Sequence, residues 1–169
     1  MPHGRFGNKM IKTILITGAT GFIGSHLTRK LLKEGKNIII LKRSSSKINR
    51  IEDFIEKIKT YNVDTEQLEK VFQENEIDAV MHLATHYIKK HGPKDIEPTI
   101  STNVTFPAEL LELMKRYNVK YFINTGSAFV YETKEDGAIQ ETTNKVPYNL
   151  YASSKIAFEE VLKHYTTNE

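Results

Sequence analysis

The stretch "ILITGATGFIGSHL", Ile14 to Leu27, sets three glycines between a run of aliphatic residues and a segment with helical spacing. Gly18, Gly21 and Gly24 stand where a strand hands over to a helix, although glycine is a poor helix former. Each has a physical use there. Gly18 lets the chain turn sharply out of the strand. Gly21 has no side chain to block a phosphate approaching the backbone, and Gly24 lets the helix pack closely on a sheet. The helix N-terminus then offers unpaired N–H groups and a partial positive charge to a pyrophosphate. Three glycines alone are a weak sign. With a strand before, a helix after and a unit of about thirty residues, they favour dinucleotide binding over a ligand-free turn.

Working outward, strand-like and helix-like segments alternate. Strands are expected at 12–17, 37–42 ("NIIILK"), 57–62, 77–85 ("IDAVMHLAT") and 120–126 ("KYFINTG"). The first helix is expected to turn Ile23, Leu27, Leu31 and Leu32 to the core and to stop at Gly35. Asp64 with Gln67 fits a capping box for the next helix, which buries Leu68, Val71 and Phe72. A long helix runs to about Tyr117, with Pro107 either kinking it or marking a fresh start. A loop of about twenty residues, longer than usual, precedes a last helix from near Asn149 to about Tyr165. This alternation implies an α/β fold: a doubly wound, Rossmann-like parallel sheet with ligands at the carboxyl ends of its strands.

The end of the second strand bears on which dinucleotide is taken. An acidic residue there receives the adenosine ribose hydroxyls of NAD, whereas arginine favours the 2′-phosphate of NADP. The chain has Lys42 and Arg43, then Ser44, Ser45 and Ser46, with no carboxylate in the stretch. NADP is therefore expected over NAD.

Composition excludes several classes. The 169 residues carry 24 basic and 21 acidic side chains, a net charge of +3 that makes no case for a nucleic-acid partner. The basic residues of the first helix, Arg29, Lys30, Lys33 and Lys36, read as a solvated side. With no cysteine there is no disulfide framework and no thiolate metal site, which suits a cytoplasmic location. No apolar run approaches the roughly 20 residues of a membrane span. His82, His86 and His91 lack a third ligand set, so no metal is expected. Glu132, Glu135, Asp136 and Glu141 fall in the long loop and read as solvated rather than as a glycosidase pair. Residues 1–9 read as a disordered extension, leaving 10–169 as one dinucleotide-binding domain.

The chemistry lies in the second half. "YASSK" places Tyr151 and Lys155 four apart on one helix face. A phenol with a pKa near 10 is a poor acid or base at neutral pH, and a neighbouring ammonium brings it toward the useful range. Ser127, in "TGSAFVY" just past the fifth strand, has a hydroxyl that could bond the same substrate oxygen. Tyr148 and Pro147 are expected to help shape the substrate mouth.

At this point the chain resembles an extended short-chain dehydrogenase/reductase of the NAD(P)-dependent epimerase/dehydratase family, which acts mostly on nucleotide sugars. "TGATGFIG", "HLAT" (His82 to Thr85), Asn103-Val104, "TGSAFVY" and "PYNLYASSK" match its motifs in order. The resemblance implies that Tyr151 is the acid/base and that Lys155 tunes it and holds the nicotinamide ribose. It implies that Ser127 orients the substrate oxygen and that Gly18, Gly21 and Gly24 line the pyrophosphate, with Phe22 and Ile23 supplying backbone. Ala84 and Thr85 would flank the cofactor. Where the family often has aspartate meeting adenine, this chain has Asn62-Val63. "LKRSSSKINRI" resembles a branch of CDP-sugar 4-ketoreductases similar to abequose synthases.

The implied function is reduction or epimerisation of a nucleotide sugar. In a reductase, hydride passes from nicotinamide to a keto carbon while Tyr151 protonates the oxygen. Dehydration ranks lower, because Ala128-Phe129 stands where an acid pair usually follows the serine. Relatives often pair through helices that here include 104–117 and 150–165, so a homodimer is expected by analogy. Family members continue into a C-terminal domain that grips the sugar nucleotide, whereas this chain stops at "HYTTNE". A truncated product or N-terminal fragment with an exposed sheet edge is expected. The competing reading is a cofactor-binding module or inactive fragment without turnover.

Overall fold

The computed structural model describes residues 10–132 and 137–167. The expected extension at 1–9 and the loop residues Glu135 and Asp136 lie outside them. Five parallel strands form one sheet: β1 (Thr13–Thr17), β2 (Asn37–Lys42), β3 (Lys59–Asn62), β4 (Ala79–His82) and β5 (Tyr121–Asn124), in the order β3-β2-β1-β4-β5. Strand order therefore reverses between β1 and β4, and their carboxyl ends open the crevice expected at such a reversal. The fold is the doubly wound parallel sheet read from the alternation.

Side-chain alternation along the strands builds two cores. Ile14 and Ile16 of β1, with Ile38 and Ile40 of β2, face one side. There they meet Leu31 of α1 (Phe22–Lys33), Ile51, and Phe54 in a 3-10 turn over Glu52–Lys57. Leu15, Ile39, Leu41 and Val80 face the other side. They meet Val71 and Phe72 of α2 (Leu68–Gln73), Leu110, Leu111 and Met114 of α4 (Phe106–Arg116), and Phe158 of α5 (Leu150–Thr167). A strand buried on both faces has to be apolar throughout, which is why "NIIILK" reads as an unbroken run.

Several local expectations are corrected. In α1 the buried residues are Gly24, Ser25, Thr28 and Leu31, with Leu27 and Leu32 half-buried and Ile23 66% exposed. The helix lies so close to the turn before it that small residues, not the aliphatic stripe, make the contact. Gly35 does end it, at φ +73°, and Lys36 N–H returns to Leu31 C=O. The basic side of α1 is not simply solvated: Arg29 pairs with Asp53 at 2.8 Å and lies over the Phe54 ring. Asp64 does not cap α2, whose N-cap Gln67 makes no side-chain bond; its carboxylate instead accepts from Ser44 N–H at 2.7 Å. Leu68 is only half-buried.

Strand ends are also shorter than expected. β4 stops at His82: Leu83 N–H makes the last main-chain bond, to Thr17 C=O of β1, and Ala84 N–H turns to the Thr17 side chain at Oγ1. Pro107 stands in the first turn of a fresh α-helical segment, α4. Between α3 (Pro93–Ile100) and α4 the chain keeps winding through a π turn, Ser101–Thr105, in which Phe106 N–H bonds back to Ser101 C=O. The wider turn relieves the clash that proline's ring makes with the preceding turn. On the outer edge, β5 leaves Ile123 53% and Tyr121 39% exposed. Among the described residues no helix is long and apolar enough to cross a membrane.

Candidate cofactor and catalytic site

The glycine turn closes on the main chain of the fourth strand. A Cβ on Gly18 would lie 2.6 Å from Ala84 N, and one on Gly24 would lie 2.2 Å from Gly18 C=O. No side chain fits at either place. Gly18 also sits at φ +73°, where L side chains are strained. Gly21 is the N-cap of α1 and brings no side-chain cap, and the first turn carries no acidic residue. The helix therefore presents main-chain N–H groups and the positive end of its dipole at this point.

Thr17 fixes the second wall. Its Oγ1 accepts from Ala84 N–H at 3.1 Å and shares a 2.8 Å hydrogen bond with His82 Nδ1. His82 is buried against Phe106, Phe122 and Phe158. Burial first, and then the charge of Lys155, push its pKa down to about 3, so the ring is neutral.

Between these walls lies a cleft of about 460 Å3. Of the residues singled out from the sequence, Gly18, Gly21, Lys42, Arg43, Ala84 and Thr85 line it. Phe22 and Ile23 point outward, 70% and 66% exposed, and bring only their backbone to the turn. Gly24 is buried behind the lining. Asn62 is turned aside: its amide donates to Ser44 Oγ and accepts from Asp64 N–H, and Val63 lines the cleft instead. Ser101, Thr102 and Phe106, from the π turn and the start of α4, complete the far side. Sequence reading missed these three. The Asn103-Val104 pair beside them was the available signal.

Asn103 is the joint of this region. It is 1% exposed, and each of its hydrogen-bonding capacities is used. Oδ1 accepts from Thr85 Oγ1 at 3.0 Å and from His86 N–H at 2.7 Å. Nδ2 donates to His86 C=O at 3.0 Å and to Ser154 Oγ at 2.9 Å. The loop after β4, the π turn and α5 thus meet on one carboxamide.

Tyr151 and Lys155 stand one turn apart on α5, both turned inward, 8% and 2% exposed. Burial lowers the pKa of the Lys155 ammonium, and the charge of Glu159 opposes that shift. Lys155 is close enough to the end of β4 for its charge to act on His82. Ser127 precedes a 3-10 turn (Ala128–Val130) and caps it, its Oγ accepting from Phe129 N–H at 3.2 Å. That leaves the Ser127 hydroxyl proton available to a substrate oxygen. Phe129 then stacks on Tyr87 at 6.3 Å, and the Tyr87 ring meets Tyr151 edge-on at 5.0 Å, linking the serine turn to the tyrosine helix. Neither Ser127, Tyr151 nor Lys155 lines the cleft itself.

Comparison with known proteins agrees with this geometry. The family model for the NAD dependent epimerase/dehydratase family matches residues 14–169. The chain is 37% identical over 155 residues to CDP-abequose synthase of Salmonella muenchen, covering 91% of this chain and 47% of that protein. It is 34% identical over 168 residues to UDP-glucose 4-epimerase of Bacillus subtilis, covering 92% and 49%. A UDP-glucuronic acid 4-epimerase from Bacillus cereus, solved with UDP-glucuronic acid and NAD, superposes with a TM-score of 0.79 at 29% identity, over 92% of this chain and 52% of that one. The chain thus spans about half the length of these relatives, which are enzymes acting on nucleotide sugars. With a family match over nearly all of its length, the chain belongs to the NAD dependent epimerase/dehydratase family.

Proposed function

We propose that residues 10–169 are the cofactor-binding part of an enzyme that reduces or epimerises a nucleotide sugar, with NADP preferred to NAD. The observation that carries this reading is a cleft lined by side-chain-free backbone, Gly18 against Ala84 with Gly21 beside it, together with an inward-facing Tyr151 and Lys155 on one helix. The floor fits a dinucleotide: a diphosphate needs close approach to N–H groups and no competing carboxylate, and α1 begins with neither cap nor acid. Gly18, Gly21 and the backbone of Phe22 and Ile23 would hold the diphosphate, with Ala84 and Thr85 along the cofactor and Lys155 toward the nicotinamide ribose. When bound, the nicotinamide supplies the hydride donor or acceptor.

The chain's own groups handle the proton. Tyr151 exchanges it with the substrate oxygen, the Lys155 ammonium stabilises the phenolate form, and the Ser127 hydroxyl donates to the same oxygen as charge develops there.

Arg43 at the cleft rim, with Ser46 beside it, supports a 2′-phosphate. The competing preference for NAD has its own support: Asp64, brought to Ser44 N–H, supplies a carboxylate that residues 42–46 lack. The test is titration of NADPH and NADH against the wild type and Arg43→Ala. Selective loss of NADPH affinity supports NADP, and equal loss removes the phosphate argument. Mixing the full-length protein and NADPH with CDP-, dTDP- and UDP-4-ketosugars then tests turnover by absorbance. Cofactor binding without oxidation favours a binding module without turnover. A cytoplasmic location and a homodimer formed through α4 and α5 belong to the same reading; sedimentation tests the second.

A further inference from the structure

Three rings beyond the catalytic groups have no part in the scheme above. Tyr87 is 52%, Phe129 47% and Tyr148 65% exposed, while Tyr151 next to them is 8% exposed. They form a series. Tyr148 meets Phe129 at 6.0 Å and 35°, Phe129 stacks on Tyr87 at 6.3 Å and 24°, and Tyr87 meets Tyr151 at 5.0 Å and 82°. The series is also pinned through the backbone. Tyr148 N–H donates to Phe129 C=O at 3.2 Å, and Phe129 N–H donates to Ser127 Oγ at the same distance.

Large aromatic side chains left in water forgo a substantial burial gain, and a contiguous exposed set marks a binding surface rather than a structural one. Here the set starts at Tyr151 and is tied to Ser127. Building on the nucleotide-sugar reading, we propose that Tyr87, Phe129 and Tyr148 form a wall against which the apolar C–H face of the substrate's hexose ring stacks. The weakly positive C–H groups of a pyranose match the negative face of an aromatic ring. The hexose, rather than the base, is the occupant because the sugar oxygen must reach Tyr151. Tyr87 lies one ring away from that group, whereas the base is separated from the sugar by two phosphates. The wall acts as a positioning surface: it turns the reacting carbon toward Tyr151 and takes no proton itself.

The experiment uses the full-length protein with bound cofactor, as wild type, Phe129→Leu and Tyr87→Leu. Saturation-transfer NMR and binding titration follow UDP-, CDP- and dTDP-glucose, with the matching nucleoside diphosphates as controls. Saturation is expected on the hexose C–H protons. Each variant should weaken nucleotide-sugar binding by roughly fivefold to tenfold, with nucleoside diphosphate and NADPH affinity unchanged. Melting temperatures should stay close to wild type, because the rings are half exposed. Equal weakening for the nucleoside diphosphates means that the wall stacks a base and overturns the proposal. So does nucleotide-sugar binding indifferent to both substitutions, which leaves the function reading intact. A wild type that binds cofactor but none of the nucleotide sugars overturns both.

Discussion

Asn103 and Ser154, 51 positions apart in the chain, are joined by a buried 2.9 Å hydrogen bond from Nδ2 to Oγ. The Ser154 hydroxyl in turn donates to Tyr151 C=O at 2.7 Å. A relay of two bonds therefore runs from the π turn to the backbone of Tyr151. It sets the height of α5 against the loop after β4.

Replacing Asn103 with leucine should leave the half-buried His86 N–H and C=O without their side-chain partner, take one bond from Thr85, and leave Ser154 only its bond to Tyr151 C=O. At about 1–3 kcal/mol for each buried orphan, the expected loss of stability is roughly 3 kcal/mol or more. Ser154→Ala removes both bonds of the relay but keeps the carboxamide's other three, and should cost less, roughly 1–2 kcal/mol. Urea midpoints for the two variants check the ordering. Equal effects would show that the carboxamide is not the joint.

Gly24 and Gly35 should respond differently to alanine. At Gly24 a methyl meets Gly18 C=O at 2.2 Å, so either the turn or the helix has to move. At Gly35 nothing lies within 4 Å, and the cost is only that of φ +73°. The expected penalties are more than about 3 kcal/mol for Gly24→Ala and about 1 kcal/mol for Gly35→Ala. Thermal melts decide, and only the first variant should also lose NADPH binding.

Lys155→Met should raise stability at neutral pH while abolishing turnover. The folded state holds the Lys155 proton less tightly than the unfolded chain, because burial lowers its pKa from 10.5. Below the folded-state value the buried charge costs stability. Between that value and 10.5 the unfolded chain binds more protons, so wild-type stability rises with pH. The variant lacks this cost and is expected to gain about 1 kcal/mol at pH ~7, with the advantage shrinking by pH ~10. Melts at the two pH values check the sign.

His82 has the same sign in a more acidic window. Its pKa falls from 6.5 to about 3 on folding, so acid favours the unfolded chain, which takes up the proton first. Stability is fully present above 6.5 and declines by about 1.4 kcal/mol per unit below it until the folded-state value is reached. His82→Gln should flatten that slope in urea titrations between pH ~6 and ~4. A slope unchanged by the substitution would assign the acid sensitivity to carboxylates instead.

The sheet was legible because strands buried on both faces have to be apolar, and "NIIILK" became β2 residue for residue. Gly18 and Gly24 were legible because close approach of main chains admits nothing larger. What escaped depended on contacts distant in sequence. The exposure of Ile23 follows from how deeply Gly24 lets α1 settle. Asp64 has the right spacing for a cap, yet Ser44, twenty positions earlier, takes its carboxylate. Asn62 is diverted by the same serine. The π turn left no compositional trace beyond Pro107, since five residues of ordinary helix-compatible type wind through it.

The closure of the glycine turn on Ala84 has a consequence for how such a protein can change over time. The base of the crevice is peptide backbone meeting peptide backbone, so it offers mutation almost nothing to adjust. Variation is confined to the periphery, where Arg43, Ser46 and Thr102 border the opening. A lineage can exchange one coenzyme for another by altering those few positions while the scaffold beneath stays as it was.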